Sequence, residues 1–173
     1  MSEKLGKDVT FEEVMFTLIS ATQDTFKMFL ELDVYAGKVE RKMGVVNSDV
    51  VAVVGLAGSR VGYVIITADM VNAQKIAKKM MMCDEIGVEE TRDAFGELAN
   101  NIAGVFKSKY WEEYGHVSLG LPLIVSGSMK PIQEPTAEEN EEAGKTFTVQ
   151  TKGVTIPFFA PGEGFSLAVM FYM

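Results

Sequence analysis

The chain has 173 residues, of which 47% are hydrophobic, 23% charged and 10% aromatic, the composition of one globular domain rather than of two domains or a disordered tail. A chain of this length buries roughly 70% of its unfolded surface on folding, so it needs neither disulfides nor metals to hold a core; its single Cys83 cannot form an internal bridge. With 16 Lys and Arg against 24 Asp and Glu the formal charge is −8, which opposes the phosphate attraction that nucleic-acid binders use and argues against nucleic acid as a partner.

Residues 1–9 open a segment, MSEKLGKDVTFEE, that mixes charges and lacks the apolar stretch of a secretory signal. They are expected to be a flexible N-terminus, and the cytoplasm is the expected location. Thr10 followed by Glu13 has capping-box spacing, and Phe11, Val14, Met15, Leu18, Ile19, Thr22, Phe26, Phe29 and Leu30 recur at helical intervals. The pattern predicts an amphipathic helix over residues 11–32. Three β-branched runs follow at residues 38–46, 50–56 and 61–67, and Gly58-Ser59 suits a hairpin turn between the last two. The uncharged stretch between Asp49 and Arg60 is typical of the longer ones in the chain, well short of the about 20 apolar residues that span a bilayer, so no membrane is crossed.

Asp69 can cap a second helix through Met82, which Cys83, Asp84 and Gly87 then break. A third helix is expected over residues 88–114, because only two isolated glycines interrupt its pattern. Strand-like runs follow at residues 117–125, 146–150, 154–159 and 165–172. One helix, three strands, two helices and up to four strands are not interleaved one for one, which favours an α+β fold with a mainly antiparallel sheet. Residues 134–144, EPTAEENEEAG, carry five Glu and no large apolar side chain, and read as a solvated loop between strands.

Most catalytic signatures are missing. One His and one Cys cannot build a zinc site or a Cys-His pair with an orienting third group, and His116 reads as an ordinary strand residue. Walker, GxGxxG and GxSxG sequences are absent, and the spacing of Gly55, Gly58 and Gly62 fits hairpin geometry rather than dinucleotide binding. Met80-Met81-Met82, at a helix end, reads as core filling.

The third helix is different. On DAFGELANNIAGVFKSKYW a step of about 100° per residue puts Phe95, Leu98, Ala99, Ile102, Val105, Phe106 and Tyr110 on one apolar stripe. Asp93, Glu97, Asn100, Asn101 and Gly104 fall opposite, where helix propensity would select Glu, Lys, Arg, Gln or Ala. Gly96 and Gly104 each cost about 1 kcal/mol relative to Ala, and each Asn roughly half that or more. A face that sacrifices stability suggests a task. Glu97 and Asn100 are three residues apart, with Cβ atoms about 5–6 Å apart on one face, and can enter one partner site together. The carboxylate is an acceptor, whereas the carboxamide both donates and accepts and is suited to gripping a water. Gly104, a turn beyond Asn100, leaves a flat patch for another backbone. An Asn-Asn pair can equally be a tolerated surface accident, and helical glycines also mark close packing; the pattern by itself does not separate these readings.

Asp93-Ala-Phe-Gly-Glu97-Leu-Ala-Asn100 resembles the D/S-x-x-x-E-x-x-N signature of the CheC/CheX/FliY phosphatases of bacterial chemotaxis, and Pro122, with 21 residues between it and Asn100, matches their downstream proline to within a residue. The likeness extends through GELANNIAG, LPLIVSG and the hairpin VVAVVGLAGSRVGYVIIT, and covers roughly residues 11–171. A single E-x-x-N copy makes the CheX type the nearer relative, since CheC-type chains usually carry two related halves. Residues 1–9 and the Glu-rich insertion depart from the pattern outside the motif. The resemblance implies a CheC/CheX-like fold and a homodimer formed by joining sheets. It also implies dephosphorylation of the phospho-aspartate of a CheY-type response regulator, with Glu97 pairing with the regulator's active-site lysine and Asn100 entering its phosphorylation pocket. No cofactor or metal ligand is expected on this chain, and Mg²⁺ is expected on the regulator. A non-catalytic docking module and a flagellar-switch-like structural protein are the alternatives, against which the intact Glu97 and Asn100 argue.

Two further residues or segments invite a role. Trp111 lies within roughly 20° of Asn100 and Gly104 around the helix, either as an interface anchor or as core under a neighbouring loop or strand. The last strand, residues 165–173, is uncharged, so it is either an edge needing cover by a second copy or a central strand.

Overall fold

Thr10 starts the first helix by the reciprocal bonding its spacing predicts. In the computed structural model, which describes residues 10–41, 46–58, 61–129 and 153–172, the Thr10 hydroxyl accepts from the Glu13 amide at 3.2 Å, and the Glu13 carboxylate accepts from the Thr10 amide at 2.9 Å. Helix α1 (Phe11–Leu30) buries Val14, Leu18, Ala21 and Phe26, and stops two residues before the apolar pattern does because Glu31 turns left-handed at φ 56°. Phe29, expected on the buried stripe, is instead 55% exposed in the last turn.

The strands are β1 (Tyr35–Ala36), β2 (Val46–Gly58), β3 (Gly62–Ala68), β4 (Val117–Leu119), β5 (Leu123–Met129), β6 (Gly153–Ala160) and β7 (Phe165–Tyr172), with α2 (Met70–Met81) and α3 (Val88–Tyr114) between β3 and β4. This is the α+β order expected. Every strand pairing is antiparallel, and the sheet runs β1-β6-β7-β3-β2-β4, with β5 also paired to β2. Asp69 caps α2 by accepting from the Asn72 amide, and Met82, left-handed at φ 52°, ends it.

Three sequence expectations change, and one left open is settled. In place of the strand expected over 38–46, the described residues show β1 earlier, at Tyr35–Ala36, then a single bridge from Glu40 to Thr155, with Val46 already opening β2. Pro157 explains the gap, since its carbonyl accepts from Gly37 on that edge of β6 while the amide that would answer is missing. The run 117–125 splits into β4 and β5 around Gly120-Leu121-Pro122, and both parts lie along one edge of the 13-residue β2. His116 lies in the exposed link before β4 rather than in a strand. Of the two positions left open for the last strand, the structure shows the central one: β7 is paired with β3 on one side and β6 on the other. The N-terminus 1–9, the Glu-rich segment and the strand expected at 146–150 lie outside the described residues.

All three helices contribute to one core on one face of the curled sheet. Val50, Ala52 and Val54 of β2, Val64 and Ile66 of β3, Ile156 and Phe158 of β6, and Val169 of β7 meet Phe95, Leu98, Ile102, Phe106 and Tyr110 of α3 there. Each of these five α3 side chains is essentially fully buried, at roughly 1.5–3 kcal/mol for a large apolar group. They fix the rotation of α3, and therefore which of its residues face outward.

Candidate functional site

The outward face of α3 holds the motif. Asp93, Glu97 and Asn100 are exposed, and Asn101 and Gly104 half-buried. Among the described residues, no hydrogen bond or ion pair engages the side chains of Asp93, Glu97, Asn100 or Asn101, although elsewhere on α3 Arg92 pairs with Glu89, and Lys109 with Asp24 of α1 at 2.7 Å. Glu97 and Asn100 therefore stand one turn apart, unpaired, on a helix whose orientation the core has locked. This arrangement offers a carboxylate for a cation and a carboxamide for a water or an oxyanion, held side by side without rearrangement.

The two glycines of the motif region separate. A Cβ on Gly104 would meet nothing within 4 Å, so this glycine leaves open space beside Asn100. A Cβ on Gly96 would lie 2.8 Å from Ile124 Cδ1 of β5 and 4.0 Å from Pro122 Cβ. Gly96 is a close-packing residue on the buried side, and only Gly104 belongs to the costly outer face. The same contact gives Pro122 a structural sense: it seats the start of β5 against the turn of α3 that carries Glu97.

Asp93, Glu97 and Asn101 line one groove with Glu90 and Ala94 of α3, Phe29 of α1, and Met80 and Met81 of α2. Asn100 stands beside this groove rather than in it. Phe29, Met81 and Glu90 were not singled out as site residues by the sequence pattern, and of the three methionines only Met80 packs on the core; Met81 is 52% exposed and Met82 93%. An apolar side chain at a helix end carries no periodic signal of which side it takes once the helix stops, and this is why core filling was the wrong reading for Met81 and Met82. Trp111 lies eleven residues beyond Asn100, about 16 Å along the axis, outside the groove. It is 48% exposed, with its ring edge-on to His116 at 4.4 Å, so it is not a core residue. Among the described residues no group of three or more His, Cys, Asp or Glu is placed to hold a metal ion, and no helix is long and apolar enough to cross a membrane.

A long helix packed on an antiparallel sheet is an arrangement with relatives. The family model for the chemotaxis phosphatase CheX matches residues 50–158, and the chain belongs to that family. Its fold is similar to that of a chemotaxis protein CheX from Desulfovibrio desulfuricans, at TM-score 0.75 and 22% identity over 93% of this chain and 99% of that one. It is also similar to CheX in the CheX-CheY-BeF3-Mg²⁺ complex from Borrelia burgdorferi, at TM-score 0.67 and 22% identity over 92% and 96%. FliY from Thermotoga maritima is more distant, at TM-score 0.59 and 15% identity over 95% and 91%. No curated protein sequence matches the chain significantly.

Proposed function

We propose that this protein hydrolyses the phospho-aspartate of a CheY-type response regulator, using Glu97 and Asn100 together. The observation that carries this reading is the pair itself, exposed, one turn apart and without partners among the described residues, on a helix fixed by its buried face. Membership in the CheX family and the CheX-CheY complex of the Borrelia burgdorferi relative support the choice of partner.

An acyl phosphate already has a good leaving group, so orientation of a water in line with the scissile P–O bond is the main requirement. Glu97 accepts from a cationic side chain of the regulator and fixes the register of the two proteins. Asn100 Oδ1 accepts a hydrogen bond from the attacking water while Nδ2 is free to donate to a phosphoryl oxygen. The water oxygen bonds to phosphorus, the bond to the aspartyl oxygen breaks, and the regulator recovers its carboxylate while the water's proton leaves on inorganic phosphate. No histidine is needed. Mg²⁺ belongs with the regulator, and no residue here is assigned to it. Asp93, Asn101, Gly104 and Trp111 are proposed as flanking contacts, Gly104 by letting the regulator backbone approach Asn100.

The functional unit is proposed to be a cytoplasmic homodimer joined through β5. Among the described residues no strand pairs with the outer edge of β5, whose sequence LIVSGSM has no charge to deter sheet extension. The direct test of function is phosphate release from purified CheY-type regulators of the source organism, phosphorylated in the presence of Mg²⁺. At least one should lose phosphate faster with the protein present; none doing so while binding persists would make it a dock.

A further inference from the structure

The groove beside Glu97 has a composition that a plain solvent-facing surface does not need. It has a volume of about 300 Å³, and its apolar lining is Phe29, Met80, Met81 and Ala94. Phe29 and Met81 come from different helices and leave about half of their surface open toward the same space. Three carboxylates, Glu90, Asp93 and Glu97, rim it, and no Lys, Arg or His lines it. Asp93 and Glu97 have no ion-pair partner among the described residues, while the nearby Arg92 is taken by Glu89.

We propose that this groove docks an apolar side chain of the response regulator that lies next to one of its cationic residues, and that it thereby selects which regulator is accepted. The inference rests on the phosphatase reading, since Glu97 lines the groove and also belongs to the catalytic pair. Charge complementarity chooses the occupant. An acidic rim attracts a basic partner surface and disfavours an acidic one, whereas the apolar floor rewards a side chain that displaces water from Phe29 and Met81. Met81 suits this role because an unbranched thioether adapts to the shape it meets. The same charges fix direction. A phosphoryl dianion is repelled from the rim, so it lies toward Asn100 and Gly104, and the regulator's basic element lies toward Glu90, at the N-terminal half of α3. Groove and catalytic pair therefore read one partner from two ends of a single helix face.

The test measures KM and kcat separately, using as probes the phosphorylated CheY-type regulators of the source organism with Mg²⁺. Phe29→Ser and Met81→Ser should each raise KM about tenfold with kcat at saturation unchanged, because they remove binding area and not a reacting group. Asp93→Lys, at an exposed position that a folding defect does not threaten, should raise KM by a similar factor and flatten its dependence on salt. Phe16→Ser, at an apolar position of α1 that is 64% exposed and outside the groove, should leave both constants unchanged. A wild-type protein that accelerates no regulator overturns the phosphatase reading and this inference together. An active wild type whose KM is unmoved by Asp93→Lys and by the folded serine variants overturns the docking groove alone.

Discussion

The proposed mechanism divides one task between a charge on Glu97 and a dipole on Asn100, and substitutions should separate them. Glu97→Ala removes a charge-assisted contact of about 1.5–3 kcal/mol, so affinity for the beryllofluoride-loaded regulator should fall roughly tenfold to a hundredfold, and turnover with it. An isothermal titration showing unchanged affinity would remove Glu97 from the interface. Trp111, half-exposed against His116, makes a separate claim. As an interface anchor its emission should shift when regulator is added, and Trp111→Ala should weaken the complex by about 2 kcal/mol while lowering the melting temperature little. Unchanged emission and affinity would confine Trp111 to packing on His116 and leave the Glu97 and Asn100 assignments standing.

At the scale of the helix, Gly96 and Gly104 predict opposite outcomes. Gly104→Ala puts a methyl into open space and gains helix propensity, so the protein should become more stable by about 0.5–1 kcal/mol while dephosphorylation slows, because the regulator loses its close approach. Gly96→Val should instead cost about 1–3 kcal/mol, as its branches meet Ile124 and Pro122. Thermal melts paired with turnover check both, and a Gly104→Ala variant with full activity would show that the flat patch is not used. This contrast also shows where the sequence was legible. The span of α3 and its buried stripe were readable because 27 residues repeat the helical period many times, and the exposed pair followed from the stripe by rotation. Gly96 lies near the edge of that stripe, where rotation alone does not say whether a neighbour comes close; the deciding atom, Ile124 Cδ1, is 28 positions further along the chain. Phe29 and Met81 were hidden for a related reason. Their groove forms where two helix ends meet α3, and no local pattern records that meeting. Pro157 was visible as a residue, yet its interruption of the pairing between β1 and the Glu40 bridge, at Gly37, depends on a contact with β6 that only the fold reveals.

The whole molecule raises the question of its edges. With β7 central, the sheet's margins among the described residues fall at β1 on one side and at β4 and β5 on the other, and β5 is the longest of the three. Sedimentation at micromolar concentration should show a dimer, and Ser126→Lys, at an exposed position of β5, should return it to a monomer with its fold intact. A wild-type monomer would refute the dimer, and a Ser126→Lys dimer would move its interface elsewhere. Because Ile124 of β5 touches the α3 turn that carries Glu97, such an interface would brace α3 from behind without covering its outward face.

The central claim is that a carboxamide on a solvent-facing helix positions the attacking water. Asn100→Ala tests it most directly, since it removes only that group from an exposed position and leaves the buried face of α3 untouched. Phosphate release from the regulator, measured with and without the variant at saturating concentration, should fall to the regulator's own rate, while the melting temperature and most of the binding affinity are retained. Turnover by Asn100→Ala at the wild-type rate would contradict the account.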